Sequence, residues 1–393
     1  MTKKLYDVDS HIQKFQARVI ACTATEKGFA VELDQTAFFA EGGGQQADRG
    51  ELDGQKVLDV KEKEEHIYHY VKEAIAVDKM VEGQIDWTFR FTNMQQHSGE
   101  HILSGIAYAW KGYHNVGFHM NDTLTTIDFD GPLTAEELQE LEIRANRVIY
   151  ENQPVIIEYP PQEELDQLDY RSKKKLTGAI RIVKVGDSDC CACCAPHVRT
   201  TGEVGIVKII HAENYKGGVR LTIVCGERAV RDYECKNQLL KEIGARLSAK
   251  PEQVAKAVEK QEKELQQLKE KMAALAQELV QYKLEQVEPE GSVCFVETAL
   301  DPVAARNLVN GLAAKVSGHG AVLLPKTEIR SSAEGEYQYI IGSTKEDVRP
   351  LAKELAAKFG GRGGGSAQMV QGTVTGEAEA IVAFLTGTTP HTC

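Results

Sequence analysis

Two pairs of potential metal ligands stand out in the sequence, each with three residues between its members. His97 and His101 form the first pair, and Cys193 and His197 form the second. On a helix, the two imidazoles of the first pair lie one turn apart on the same face, within reach of one ion. Sulfur and imidazole nitrogen are ligands that zinc prefers, so the two pairs together predict a tetrahedral site. The thiolate favours Zn²⁺ over Mg²⁺ or Mn²⁺.

The cysteine half of this site leaves alternatives open. Cys190, Cys191, Cys193 and Cys194 lie within five residues, and Cys190 or Cys194 could take the place of Cys193. Thiols crowded in this way in a cytosolic chain indicate a metal or reactive sulfur more than a disulfide framework. A turn of small residues with buried thiols is the alternative that needs no metal.

The number of ligands bears on what the metal would do. Four protein ligands are typical of a closed structural zinc site, whereas a catalytic zinc keeps one position open. We therefore expect three firm ligands, His97, His101 and Cys193, with His197 close to the ion and available to bind it.

A run of three glycines, Gly42, Gly43 and Gly44, precedes Gln45. Three consecutive glycines add nothing to a hydrophobic core, so the run indicates unusual backbone angles or the close approach of a ligand. A flexible turn without a ligand is the alternative interpretation.

The elements that would position these groups predict an α+β protein. The sequence predicts a strand at 83–87, a helix from about Asn93 that carries the first ligand pair, and a capping box at Thr134 and Glu137. A heptad pattern over residues 252–283 predicts a long helix with a coiled-coil seam. The predicted domains are a small β-barrel (1–90), an α+β domain with both ligand pairs (91–235), a helical coiled-coil stalk (236–288) and a compact α/β domain (289–393).

The charge balance limits the partners of the chain. Lys and Arg number 46 and Asp and Glu number 58, which gives a net charge of −12. This balance argues against indiscriminate polyanion binding but allows one selected RNA, which local basic clusters such as 171–175 could contact. A solvated loop is the alternative for that cluster.

No run of about 18 apolar residues and no signal-peptide pattern occurs, so we expect no membrane span and a cytoplasmic location.

Several motifs together resemble a known family. The segments 94–103 and 201–205, with Cys193 and His197 between them, resemble the editing domain of alanyl-tRNA synthetase. The segment 38–50 resembles that family's F-[FY]-P-E-GGGQ motif, with alanine where proline is usual, and Gly360–Gly365 resembles the DHHA1 glycine motif. Because no aminoacylation core precedes the barrel, the chain resembles the long form of the free-standing alanyl-tRNA editing proteins.

The resemblance implies a zinc-dependent aminoacyl-tRNA deacylase that hydrolyses mischarged Ser-tRNA(Ala) in trans, with Gly-tRNA(Ala) as a second candidate substrate. It implies that Thr36 reads the serine hydroxyl, although Thr36 is also explained as an ordinary strand residue. It further implies that Gln45 and the three glycines surround the ester or the terminal adenosine. Arg362 becomes a candidate phosphate contact, and a DHHA1-type C-terminal domain implies tRNA binding and a homodimer.

Two other functions are compatible with the sequence. One is a metal-dependent hydrolase acting on a small ester or amide, which would need no stalk and no second domain. The other is a non-enzymatic tRNA-binding protein with a structural zinc, which would explain four ligands but not the accompanying glycine run and Thr36.

Overall fold

The computed structural model describes residues 1–26, 28–172, 179–326 and 335–387. The chain divides into two compact units, Met1–Lys241 and Glu242–Cys393. Each unit combines helices with sheets, which confirms the predicted α+β class. The division into four domains at the boundaries given above stays a prediction. Within the described ranges, no helix is both long enough and apolar enough to cross a membrane.

A seven-stranded antiparallel sheet opens the first unit. Its edge strands, Gln55–Val57 and Asp59–Lys63, follow one another through Leu58, whose backbone N–H donates to the carbonyl of Tyr70 over 2.8 Å. The sheet therefore curls into a nearly closed barrel around a buried apolar core, as predicted. The strands of this region are β1 Lys3–Lys4, β2 Lys14–Thr25, β3 Gly28–Leu33, β4 Gln35–Thr36, β5 Gly50–Leu52, β6 Gln55–Val57, β7 Asp59–Lys63, β8 His66–Val71 and β9 Met80–Ile85; β1 and β4 pair separately.

The rest of the first unit consists of two further antiparallel sheets and the helices that cover them. The long helix α1 packs with α2 around a second apolar core. The elements are α1 Trp87–Lys111, β10 Asn115–Met120, β11 Thr125–Phe129, α2 Ala135–Glu151, β12 Val155–Glu158, α3 Gln162–Leu165, β13 Ile182–Val185, β14 Asp189–Ala192, β15 Val207–Tyr215, β16 Gly218–Cys225 and α4 Gly226–Leu247, whose last residues lie in the second unit.

Helix α1 begins earlier than the sequence pattern indicates. Asp86 caps its first turn by accepting the Phe89 backbone N–H over 3.1 Å. The predicted strand at 83–87 therefore ends at Ile85, and Trp87 is helical. The cap explains the error, because one side-chain acceptor satisfies an amide that the helix start leaves free. The capping box at the start of α2 is confirmed.

A five-stranded sheet with helices on it forms the second unit. The strand order is β17-β18-β19-β21-β20, and only the β17–β18 pair is parallel. Strands and helices alternate along much of this unit, as expected of the α/β domain predicted there, although most of its strand pairs are antiparallel. The elements are α5 Val254–Glu285, β17 Val293–Val296, α6 Pro302–Lys315, β18 Gly320–Pro325, β19 Gly335–Gly342, α7 Arg349–Phe359, β20 Arg362–Gly365, β21 Met369–Gly376 and α8 Ala378–Thr386.

The heptad segment is a single helix of 32 residues. Its C-terminal part packs against α6 through Val280, and the Lys283 ammonium contacts the Glu297 carboxylate over 2.6 Å. The apolar seam before that point is open, since the side chains of Leu268 and Met272 are 58% and 70% exposed. The long helix is as predicted, but a partner for its seam stays a prediction.

Candidate metal centre

The structure brings the two predicted ligand pairs together in the first unit. One donor atom from each of His97, His101, Cys193 and His197 lies within 4.8 Å of the other three. The Nε2 atoms of His97 and His197 lie 3.5 and 3.4 Å from the Cys193 Sγ atom. All three histidines are buried. Four soft or borderline donors this close together are a suitable donor set for one tetrahedral zinc ion.

Each imidazole is held by a hydrogen bond at its other nitrogen. Nδ1 of His101 donates to the buried Asp189 carboxylate over 2.7 Å, and Nδ1 of His97 donates to Oε1 of Gln45 over 2.9 Å. Nδ1 of His197 lies 3.0 Å from the Ser98 hydroxyl. The bonds to Asp189 and Gln45 place the proton of His101 and His97 on Nδ1, which is the arrangement that orients histidine ligands around metals. The site therefore fits zinc in its supporting bonds as well as in its donors.

The cysteine segment is fixed by a buried guanidinium. Nη1 of Arg181 donates to the carbonyl of Cys193 over 2.7 Å and to that of Ala195 over 3.0 Å. Nε of Arg181 lies 3.2 Å from the Asp7 carboxylate, which balances its charge. These contacts hold the backbone of the ligand-bearing turn at the end of β14, so Cys193 faces the histidines of α1.

The environment separates the crowded cysteines chemically. Burial alone would raise the pKa of Cys193, but the imidazoles of His97 and His197 lower it well below the ordinary thiol value. Burial raises the pKa of Cys191 to about 11, so that side chain stays a neutral thiol. Burial lowers the pKa of His197 to about 3, which keeps its imidazole neutral. Burial lowers the pKa of His101, but its hydrogen bonds to Asp189 and Cys193 raise that pKa well above the ordinary value, so a metal would replace a proton there. A thiolate and a neutral imidazole are the forms that bind a metal.

The glycine run forms a tight turn beside this cluster. Backbone hydrogen bonds join Gly42 and Gln45 in both directions, at 3.1 and 2.9 Å. Gly43 and Gly44 have φ angles of +61° and +84°, which glycine adopts without strain. A Cβ atom on Gly44 would lie 2.6 Å from the Phe118 ring. The turn directs the Gln45 side chain to His97, and Nε2 of Gln45 is buried without a hydrogen-bond partner among the described residues.

Thr36 lies in the barrel core and its hydroxyl is already engaged. Nδ1 of His69 donates to the Val31 carbonyl over 3.1 Å, so Nε2 of His69 accepts the Thr36 hydroxyl proton over 2.8 Å. The Thr36 oxygen also accepts the backbone N–H of Phe38 over 3.1 Å. One acceptor position remains on this oxygen, so a further hydroxyl could bind only as a donor. Its role as a serine-reading group stays a prediction.

The predicted phosphate contacts have different outcomes. Residues 173–175 of the basic run lie outside the described residues. Arg171 contacts the Asp189 carboxylate over 2.7 Å and so supports the metal centre. Arg362 lies in the second unit, where Arg362–Gly365 of the GGRGGG segment forms the exposed edge strand β20. Glycines 363 and 372 allow this strand to pass the Tyr339 hydroxyl closely, which explains the strand physically.

Sequence reasoning missed the residues that hold the ligands in place. Asp189, Ser98 and Arg181 were not singled out in advance, Arg171 was named only as part of a candidate RNA-contacting cluster, and Gln45 was named as a candidate site residue. Asp189 adjoins the cysteine run and begins β14. A carboxylate next to predicted ligands was the one signal available for it.

Two family models match parts of the chain. Residues 180–222, which include Cys193 and His197, match the threonyl and alanyl tRNA synthetase second additional domain. Residues 6–89, which form most of the barrel, match tRNA synthetases class II (A). Most of the barrel and the segment that carries Cys193 and His197 are thus similar to parts of tRNA synthetases, whereas His97 and His101 lie outside both matched ranges.

The similarity to individual relatives extends over nearly the whole chain. Alanyl-tRNA editing protein AlaX-L of Pyrococcus horikoshii is 28% identical over 97% of this chain and 96% of its own length. The alanine–tRNA ligases of Pyrococcus abyssi and Methanoregula boonei are 31% and 32% identical, and the chain spans 42% and 41% of their lengths. The resemblance to the long form of the alanyl-tRNA editing proteins is therefore confirmed. Among solved structures, the C-Ala domain of Aquifex aeolicus alanyl-tRNA synthetase covers 25% of the chain at 19% identity with a TM-score of 0.19, too low to support any conclusion.

Proposed function

We propose that this protein is a zinc-dependent deacylase that removes serine from mischarged Ser-tRNA(Ala), with Gly-tRNA(Ala) as a second candidate substrate. The observation that carries the proposal is the convergence of His97, His101, Cys193 and His197, with Nδ1 of every histidine hydrogen-bonded away from the cluster. The similarity to an alanyl-tRNA editing protein over 97% of the chain supports this substrate class.

The bond to be cut is an activated ester, so the site needs positioning and stabilisation of developing negative charge more than a strong nucleophile. Zinc held by the four residues would supply a Lewis acid at the ester. The chain itself supplies Gln45, whose Oε1 is fixed on His97 and whose Nε2 has a proton to donate to an ester oxygen. The Gly43–Gly44 turn keeps side-chain bulk away from that position.

Selection of serine needs a polar group, because an apolar pocket cannot strongly reject or prefer one hydroxyl. Thr36 fits this task as an acceptor, since its own proton is committed to His69. A serine hydroxyl would donate to it, whereas alanine has nothing to donate. In this proposal His69 determines which way the Thr36 proton points.

The test compares deacylation of Ser-tRNA(Ala) and Ala-tRNA(Ala) with and without a zinc chelator. We expect selective loss of serine that the chelator abolishes. The variants Cys193→Ala and His101→Ala should lose zinc and activity together, while Cys190→Ala, a thiol of the same run outside the ligand cluster, should keep both. Full zinc content in both ligand variants would remove the assigned ligand set.

A second pair of variants tests the serine-reading step separately. Thr36→Val should keep its zinc content and lose discrimination for serine, while Thr36→Ser, which retains the hydroxyl, should keep it. Equal hydrolysis of Ser-tRNA(Ala) by the wild type and Thr36→Val would refute the assignment of Thr36. If the protein binds both tRNA and zinc but shows no turnover, the non-enzymatic alternative is favoured instead. The close approach of four ligands is the observation that supports this alternative.

A further inference from the structure

The metal centre can be reached from solvent beside the glycine turn. The three histidines of the ligand cluster are buried, and so are the three side chains that hydrogen-bond to their Nδ1 atoms. In contrast, Gly43 and Gly44 are exposed, and so is Cys194, which directly follows the ligand Cys193. These exposed residues border an opening that leads from solvent to the ligands.

The missing side chain of Gly43 leaves a small space in this opening. A Cβ atom on Gly43 would lie 3.7 Å from the Cys194 Sγ atom and 4.0 Å from Cε1 of His97. Cε1 is bonded to Nε2, the His97 nitrogen that lies 3.5 Å from the Cys193 Sγ atom. The space therefore lies between the Cys194 thiol and the edge of a ligand, at van der Waals distance from both.

The Cys194 thiol is available as a wall of this space. It is a free cysteine, and its sulfur does not belong to the cluster of four donors. A Cβ atom on Gly42 would also lie 3.8 Å from this sulfur, so the thiol runs along the glycine turn. A cysteine in such a position acts as a small apolar group.

Both sides of the space are held in place. Nη1 of Arg181 donates to the carbonyls of the residues before and after Cys194, over 2.7 and 3.0 Å. Two backbone hydrogen bonds of 3.1 and 2.9 Å close the glycine turn on the other side. Because neither side can withdraw easily, the size of the side chain at position 194 sets the width of the space.

We infer that Cys194 limits the size of the aminoacyl side chain that reaches the metal centre. This inference rests on the proposed function. The threonyl group keeps the hydroxyl of serine and adds one methyl group, and one additional carbon in a fitted pocket changes selectivity by about 10–200-fold. Thr36 and Cys194 thus select different properties, since the first recognises a hydroxyl and the second rejects additional carbon beside it.

The first test compares hydrolysis of Ser-tRNA(Ala) and Thr-tRNA(Ala) by the zinc-loaded protein. Cys194→Ala widens the space, so we expect kcat/KM for Thr-tRNA(Ala) to rise about tenfold relative to that for Ser-tRNA(Ala). Cys194→Leu overfills the space and should lower kcat/KM for Ser-tRNA(Ala) at least about tenfold. Cys235→Ala and Cys235→Leu are the matched controls, since Cys235 is an exposed cysteine on α4, and they should change neither value.

An unchanged ratio in Cys194→Ala would overturn the inference, because a thiol that touched only the ribose or the base would affect both substrates equally. Hydrolysis of Ser-tRNA(Ala) by Cys194→Leu at the wild-type rate would overturn it as well. If Cys194→Leu loses its zinc, the ratio measured with Cys194→Ala decides.

A second measurement does not depend on hydrolysis. The rate at which the chelator pyridylazoresorcinol removes zinc reports how easily a small molecule reaches the ligands. We expect Cys194→Leu to slow this removal severalfold, with thermal unfolding as in the wild type, and Cys235→Leu to leave it unchanged. An unchanged rate in Cys194→Leu would place the opening elsewhere. A wild type that hydrolyses no aminoacyl-tRNA would refute the proposed function, whereas an active wild type with an unaltered ratio in Cys194→Ala would refute this inference alone.

Discussion

The carboxylate of Asp189 offers the sharpest test of how the metal centre is supported. Its Oδ2 accepts from Nδ1 of His101 over 2.7 Å and from Nη2 of Arg171 over 2.8 Å, while its Oδ1 accepts from Nε of Arg171 over 2.7 Å. In Asp189→Asn only one oxygen remains. Either His101 loses its acceptor, or the new NH₂ group faces the Arg171 guanidinium.

Either outcome loosens His101 and makes it a poorer ligand. Loss of a supporting partner of this kind typically lowers metal affinity by 10–100-fold, which corresponds to about 1.4–2.7 kcal/mol. Zinc should then stabilise the folded variant less than the wild type by the same amount, because a ligand that binds only the folded state shifts its stability through its affinity.

Zinc affinity is measured by competition with a chromophoric chelator at constant pH, and unfolding is followed with and without zinc. Asp187→Asn is the matched control, because it makes the same change two residues earlier at an exposed position. Undiminished zinc affinity in correctly folded Asp189→Asn would refute the view that this carboxylate orients His101.

Three further predictions concern stability, pH and assembly. Arg90→Met should destabilise the fold by about 3–5 kcal/mol in denaturant unfolding, because it leaves the buried Asp48 carboxylate without its ion pair; a loss below about 1 kcal/mol would contradict this. Burial lowers the pKa of His69 to about 4, so its contribution to stability is complete above about pH 6.5 and is lost as pH falls through about 4. Between about pH 7 and 5 this amounts to about 2 kcal/mol, and His69→Gln should flatten that part of the stability–pH curve; an unchanged slope would exclude His69 as its source. If a second copy covers the open seam of α5, Leu268→Glu with Leu275→Glu should turn a dimer into a monomer in light scattering, whereas unaltered mass would place any interface elsewhere.

Local sequence patterns were sufficient to predict those features that depend only on residues close together in the chain. The i, i+4 spacing of His97 and His101 puts two donors on one helix face wherever that helix packs, and the short Cys193–His197 spacing keeps two further donors close together in a segment without helical structure. The heptad pattern likewise predicted α5, because a regular apolar stripe is a property of one segment. Each of these features needs only a few neighbouring residues.

The supporting contacts could not be predicted in this way. Gln45, Asp189 and Ser98 reach the three histidines across separations of 52, 88 and 99 residues. No pattern in one sequence relates positions so far apart, since only the packing of the barrel against α1 and the cysteine turn brings them together. The start of α1 was misplaced for a related reason, because the Asp86 cap outweighs the strand-like composition around it.

The sequence by itself determined which donors exist and how they are paired along the chain. The tertiary structure decided that the two pairs meet, which nitrogen of each imidazole is free, and which of the crowded thiols is poised as a thiolate. Burial, hydrogen-bond direction and charge compensation depend on what surrounds a side chain in space, and residue order alone does not specify those surroundings.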